Sequence, residues 1–185
     1  MQKEKSVALF GGSFDPPHLG HIKAIESLCA LEFIDRVVVM PTFLNPFKSC
    51  FFAPPKLRLK WLREIFKSNK KVEISSFEVD KNRPTPTIES VFYLQKSYDN
   101  IYVVIGADNL AKLHTWHRFD ELEKIVKFIV LKRENIDPTQ EYININIDVD
   151  ISSSALRDEP KKEFLPSAFA DEIYSYYKEK NCKKD

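Results

Sequence analysis

The residues best suited to chemistry stand together near the start of the chain, in Gly11-Gly12-Ser13-Phe14-Asp15-Pro16-Pro17-His18-Leu19-Gly20-His21. Two glycines after an apolar run let the backbone approach a ligand without a Cβ in the way. His18 and His21 are three residues apart, so on a helix that starts near Pro17 they share its first turn and one face. A helix N-terminus offers unpaired N–H groups and partial positive charge, which suits phosphate. Two imidazoles beside it add donors, and charge near neutral pH. The chain has only four glycines, and Gly11, Gly12 and Gly20 are three of them. With the usual share near ~7%, such sparing use points to steric need here. Together these parts predict a phosphate-handling site.

A second cluster, Ile151-Ser152-Ser153-Ser154-Ala155-Leu156-Arg157, lies near the other end. Serines at a strand-to-helix junction cap the helix, and their hydroxyls and N–H groups can receive phosphate oxygens. Arg157 falls in the first two turns and brings a planar fork that pairs with two oxygens at once. Between the clusters, Gly106-Ala107-Asp108 closes an apolar run. Asp108 there is either an acceptor for ribose hydroxyls or a helix cap. Trp116 sits with Thr115 and His117 in a polar connection, and Lys48 stands among phenylalanines in a loop.

These groups need elements to hold them. Residues 7–10 read as a buried strand and residues 19–31 as an amphipathic helix. A strand at 36–40 follows, ended by Pro41, and then a loop over 42–54 that is either a lid or binding loop, or local packing onto the domain. Residues 55–66 form a helix with Trp61 in the core, and 72–77 alternate as a strand near an edge. After a proline loop at 81–86, Thr87 caps a helix over 88–98. Residues 101–106 make the clearest central strand. It is followed by a short helix to residue 113, a helix over 119–126, strands at 128–131 and 143–149, and a last helix over 167–180. Alternating strands and helices predict one α/β domain spanning 1–185, a Rossmann-like, doubly wound and mostly parallel sheet. Its C-terminal portion, about 152–180, is helical, and 181–185 form a disordered tail. The two phosphate clusters then meet at the carboxyl edge of the sheet, where open α/β sheets bind ligands.

The glycine-histidine stretch resembles the H-x-G-H signature of nucleotidyltransferases. Adding Ile105–Asp108, Thr115-Trp116 and Ile151–Arg157, in that order and spacing, the chain is similar to the bacterial nicotinate-nucleotide adenylyltransferases along nearly its whole length. The resemblance implies transfer of AMP from ATP to nicotinate mononucleotide, giving nicotinate adenine dinucleotide and pyrophosphate in NAD biosynthesis. It implies catalytic roles for His18, His21 and Arg157. It implies ATP contacts from Gly11, Gly12, Ser13, Phe14, Gly106, Asp108, Ile151, Ser152 and Ser153. The nicotinate nucleotide falls to Asp15, Lys48, Thr87, Trp116 and His117, with Trp116 stacked on the pyridine and Thr87 and the backbone near His117 reading its carboxylate. Mg²⁺ is implied as a companion of ATP, with no protein side chain as ligand. Two departures stand out: Pro46-Phe47-Lys48 where the family often has Pro-His-Lys, and Thr85-Pro86-Thr87 where it often has Ser-Tyr-Thr. Alternatives are an adenylyltransferase for nicotinamide mononucleotide or phosphopantetheine, and a non-catalytic nucleotide sensor. Retention of His18, His21 and Arg157 speaks against the sensor.

Composition narrows the partners. With 185 residues, 43% hydrophobic content and a net charge of +1, the chain has no global pull toward nucleic acid or membrane. Only residues 178–184 are locally basic. Cys29, Cys50 and Cys182 show no metal-ligand spacing, so neither a disulfide framework nor a zinc site is expected. Residues 1–5 lead straight into the first strand without an apolar leader, and the expected setting is a reducing cytoplasm. Oligomeric state stays open, a homo-oligomer among the options.

Overall fold

Among the described residues, six short runs form strands, and every pair of neighbours runs parallel. The computed structural model describes residues 5–46, 48–132, 142–147, 149 and 151–181. The expectations on Phe47, Cys182 and the tail beyond residue 181 lie outside them. The strands are β1 (Ser6–Gly12), β2 (Arg36–Pro41), β3 (Val72–Ile74), β4 (Asn100–Gly106), β5 (Lys127–Lys132) and β6 (Ile143–Asn146), in the order β3-β2-β1-β4-β5-β6. The helices are α1 (Leu19–Ala30), α2 (Pro55–Phe66), α3 (Phe77–Asp80), α4 (Thr87–Leu94), α5 (Phe119–Ile125), α6 (Ser153–Asp158) and α7 (Ala170–Asn181). Short 3-10 helices cover Ala107–Thr115, Lys162–Phe164 and Ser167–Phe169.

Strand side chains alternate between two buried layers, as period-two geometry requires. Ala8, Phe10, Val37, Val39, Tyr102 and Val104 join α1 and the Leu62–Phe66 end of α2. Val7, Leu9, Val38, Met40, Val103 and Ile105 join α4 and α5. Continuous apolar runs such as Val37–Met40 are therefore what a sheet covered on both faces needs. A third cluster seats α6 and α7 on the outer side of α2 through Trp61, Leu156, Ile173 and Tyr177. Trp61 is fully buried, as expected, and its Nε1–H donates to Glu172 Oε1 at 2.9 Å.

Strand order turns back between β1 and β4, which makes that junction the switch point of a doubly wound sheet. β1 pairs with β4 only from Ser6↔Asn100 to Leu9↔Val103, yet stays with β2 up to Gly12↔Pro41. The carboxyl ends of β1 and β4 are thus free to border a crevice.

Several boundaries differ from the sequence expectation. β3 stops at Ile74, and Phe77 begins α3, where its ring stacks on Tyr93 at 4.3 Å. The alternation over 72–77 was a short edge strand followed by a single helical turn. α4 starts at Thr87 with Pro86 as its N-cap and ends at Leu94, so Thr87 is the first helical residue and makes no capping bond. β6 is shorter than 143–149, and β2 takes in Pro41.

Candidate active site

A cavity of about 530 Å³ opens at the switch point. It crosses the carboxyl edge, so one end meets α1 on one face of the sheet and the other meets α4 on the opposite face. Of the residues singled out in the sequence, Gly11, Gly12, His18, His21, Thr87, Gly106, Asp108, Trp116, His117, Ile151, Ser152 and Ser153 line it. Ser13, Phe14, Asp15, Lys48 and Arg157 are not among its lining residues.

At the α1 end, His18 is buried and stacks on His21 with ring centroids 3.7 Å apart. The His18 backbone N–H donates to His21 Nδ1 at 3.3 Å. A ring nitrogen that accepts carries no proton, so neutral His21 holds its proton on Nε2, as a donor. The glycines work through space rather than through backbone freedom, since none has a positive φ. A Cβ on Gly20 would come within 3.0 Å of the His18 ring, and one on Gly12 within 3.2 Å of the Phe14 ring. A Cβ on Gly11 would meet nothing within 4 Å, so this residue leaves room on the cavity wall. The left-handed turn falls instead on Phe14, at φ 48, a strained setting for a bulky residue. Burial compensates: the Phe14 ring meets Phe10 edge-on at 5.5 Å and His21 at 4.8 Å. Phe14 therefore braces the His21 ring edge-on, its own side chain buried outside the cavity lining.

Asp15 likewise lies outside the lining. It is buried, and its carboxylate accepts from Phe52 N (2.8 Å), Ala53 N (2.9 Å) and the Tyr177 hydroxyl. Burial, reinforced by that carboxylate, pushes the Tyr177 phenol far above its usual range. Asp15 thus ties loop and α7 to the glycine-histidine stretch, three donors from separate segments converging on one carboxyl group. The loop over 42–54 divides between the two readings offered for it. Thr42, Asn45 and Pro46 line the cavity, while Phe52 packs toward α7, its carbonyl accepting from Tyr176 Oη at 3.3 Å.

The two clusters expected to bind phosphate do meet. Ser153 Oγ donates to Pro16 O at 2.9 Å, and Arg157 Nη1 to Asp15 O at 2.7 Å. Ser152 is the N-cap of α6, its Oγ accepting from Ala155 N at 3.1 Å. Arg157 stands just outside the lining, over the Phe52 ring at 5.2 Å. Lys48 lies close enough to feel it: desolvation first, then Arg157, lower the Lys48 pKa. The resemblance assigns these two cations to different substrates, and the fold brings them within electrostatic reach of each other.

Three lining or supporting residues went unnoticed in the sequence. Arg58, 1% exposed, donates Nε to Ala53 O (3.0 Å), Nη2 to Thr42 O (2.8 Å) and Phe43 O (3.0 Å), and Nη1 to Ser13 O. Its position in register with Trp61, Leu62 and Ile65, on the buried stripe of α2, was the available clue. Lys132 is buried at the end of β5 and lines the cavity; it directly follows the apolar run at 128–131. Glu78, 5% exposed, lines the opposite end, its Oε1 accepting from Ser90 Oγ at 2.7 Å. Burial raises its carboxyl from 4.5 to about 7.

That rise makes stability depend on pH. Between 4.5 and about 7 the folded state binds more proton than the unfolded chain, so stability falls as pH rises through this window, by about 3 kcal/mol. Glu78→Gln removes the titration and keeps an acceptor for Ser90. Its Tm should match wild type near pH ~4.5 and exceed it near pH ~8, by up to about 3 kcal/mol in stability. Equal Tm differences at both pH values would show that Glu78 does not titrate in this way.

Comparison with known proteins follows the same lines. A family model described as cytidylyltransferase-like matches residues 9–159. A curated relative from Sulfurimonas denitrificans, described as a probable nicotinate-nucleotide adenylyltransferase, is 53% identical over 97% of this chain and 99% of its own length. One from Nitratiruptor, with the same description, is 45% identical over 93% of this chain and 98% of its own. Among solved structures, a Plasmodium falciparum nicotinic acid mononucleotide adenylyltransferase complexed with NaAD superposes with a TM-score of 0.75 at 21% identity, covering 96% of each chain. At that identity the match speaks for the fold.

Proposed function

From membership of the nicotinate-nucleotide adenylyltransferase family, to which this chain belongs, we propose that it transfers AMP from ATP to nicotinate mononucleotide, releasing pyrophosphate. One observation carries the reading: a single cavity runs from the His18–His21 pair and the Ser152–Ser153 cap to Thr87 and Trp116 on the far face of the sheet. It has a phosphate end and a ring-binding end, joined at the switch point.

In this reaction the acceptor phosphate oxygen attacks the α-phosphorus of ATP in line. A new P–O bond forms, the bond to the β-phosphate oxygen breaks, and its electron pair leaves with pyrophosphate. No proton has to move to a side chain, so catalysis rests on alignment and on donors aimed at the developing charge. His21 Nε2–H and His18 serve the α- and β-phosphates at the α1 N-terminus. Ser152 and Ser153 hold the pyrophosphate portion from the other side, with Arg157 and Lys48 supplying positive charge just behind. Gly11 leaves space for the triphosphate, and Gly106 and Asp108 border the adenosine. Trp116 stacks on the pyridine, and Thr87 with the backbone near His117 meets its carboxylate.

Mg²⁺ takes oxygen ligands and keeps several waters. Among the described residues no group of three or more His, Cys, Asp or Glu is arranged to hold a metal. The donor set therefore fits an ion carried in on the triphosphate, where it would neutralise phosphate charge. A cytoplasmic setting belongs to the same proposal, in keeping with substrates of central metabolism. No described helix is long and apolar enough to cross a membrane.

The test is pyrophosphate release from ATP and Mg²⁺ with three acceptors offered separately. Nicotinate mononucleotide should be turned over with a kcat/KM at least ~10-fold above nicotinamide mononucleotide, as expected when a charge distinguishes the two, and phosphopantetheine should be inert. Turnover with phosphopantetheine alone would overturn the acceptor. ATP binding without turnover of any acceptor would favour a sensor.

A further inference from the structure

Thr42 Oγ1, Glu78 Oε2 and Trp116 Nε1 are buried polar atoms without a hydrogen-bond partner among the described residues, and all three residues line the cavity. Unpaired buried polar atoms are costly, so those carried by residues that line a ligand space are candidate contacts of what fills it. Glu78 carries the most information. Its α3 begins at Phe77, and α4 supplies its partner Ser90, one helical turn after Thr87. Phe77, Ile88, Val91 and Trp116 belong to one packed cluster, so Glu78, Thr87 and Trp116 share the ring-binding end.

Hydrogen bonding also tells the two carboxyl oxygens apart. Ser90 Oγ–H donates to Oε1, which leaves Oε2 to carry the proton when the carboxyl is neutral. We propose that Glu78 is a specificity-determining residue of the acceptor subsite, its Oε2–H donating a hydrogen bond to the carboxylate on the pyridine ring of the acceptor nucleotide. This rests on nicotinate mononucleotide being the acceptor.

Burial supports it by raising the Glu78 carboxyl to about 7, so both forms are present near neutral pH. The charged groups around it are few. Glu89 on α4 adds a small rise and is itself paired with Arg83. On α3 and just beyond it, Asp80 accepts from Ser76 Oγ and Lys81 lies over the Phe77 ring. β2 is apolar from Val37 to Pro41. α2 carries Lys56, Arg58, Lys60, Arg63 and Glu64, none of them an electrostatic neighbour of Glu78. His117 lines the same cavity. Once ionised, Glu78 repels a ring carboxylate but accepts from the N–H of a ring amide, so its titration changes which nucleotide the pocket prefers.

The experiment measures kcat/KM for nicotinate and nicotinamide mononucleotides at saturating ATP and Mg²⁺, from pH ~6 to pH ~8.5, on wild type and Glu78→Gln. Both nucleotides share their phosphate and ribose, so the ratio of the two values isolates the ring substituent. In wild type the acid-to-amide ratio should be level below about 7 and fall roughly tenfold per pH unit above it. In Glu78→Gln, whose amide still donates, the ratio should stay level throughout. A level ratio in wild type overturns the assignment even if the variant fails to fold, and so does a variant ratio that falls as steeply as wild type. A merely structural Glu78 would shift both nucleotides together and leave the ratio unmoved. Turnover of neither pyridine nucleotide would instead overturn the acceptor reading itself.

Discussion

His21→Ala should lower kcat by ~10²-fold or more while leaving ATP affinity within about threefold, because a donor aimed at transition-state charge is worth several kcal/mol to the reaction and little to ground-state binding. The geometry supplies the reason. The His18 backbone N–H occupies Nδ1, so the ring proton sits on Nε2. Stacking on His18 at 3.7 Å and the edge of Phe14 at 4.8 Å then hold the imidazole in one orientation. Such a donor reorganises little as charge builds on the α-phosphoryl oxygens. His21→Asn, which keeps a shorter N–H donor, should recover part of the loss. Single-turnover kinetics with an ATP titration would separate the two terms. Turnover near wild type in the alanine variant would remove His21 from catalysis; a matching loss of ATP affinity would make it a binding residue.

Arg58→Met should cost about 3–5 kcal/mol of stability, the scale for stripping a partner from a buried charged network. The side chain donates to the carbonyls of Ser13, Thr42, Phe43 and Ala53. Methionine would leave all of them unpaired, and would deprive the buried Asp15 carboxylate of one cationic neighbour. Arg58→Lys should lie between, since a single ammonium cannot span carbonyls that the planar guanidinium bridges at once. Denaturant midpoints at constant m-value would report the difference. A loss under about 1 kcal/mol would show the carbonyls finding other partners. Ser13 and Thr42 directly follow β1 and β2, and Thr42 lines the cavity, so the surviving folded fraction should also show a raised KM for ATP.

Much of the fold was legible because it depends on local pattern. Val7–Phe10, Val37–Met40 and Ile101–Ile105 are apolar without a break, which only a strand covered on both faces tolerates. Alternation with helical stretches then leaves a parallel doubly wound sheet as the economical arrangement. The glycine-histidine stretch and Ile151–Arg157 were legible for a different reason, their unusual residue types at close spacing. Less legible were places where a neighbour in space overrides local preference. Pro86 holds the N-cap position expected of Thr87, and α3 breaks the alternation that begins in β3.

From its sequence alone, this protein's class of fold, the two residue clusters that meet beside its cavity and its family were determined, because each is carried by contiguous residues whose chemistry does not depend on what packs against them. Only the tertiary structure decided which of those residues face the cavity. Asp15 and Phe14 look like ligand contacts in a motif, yet they turn inward to bind backbone amides and brace His21. Arg58, Lys132 and Glu78 look like ordinary surface charges, yet they are buried at the site. The physical reason is that burial and hydrogen-bond partners come from segments far apart in the chain, as Tyr177 with Asp15 and Ser153 with Pro16 illustrate. Those pairings set a side chain's direction and its charge, and no local spacing encodes them.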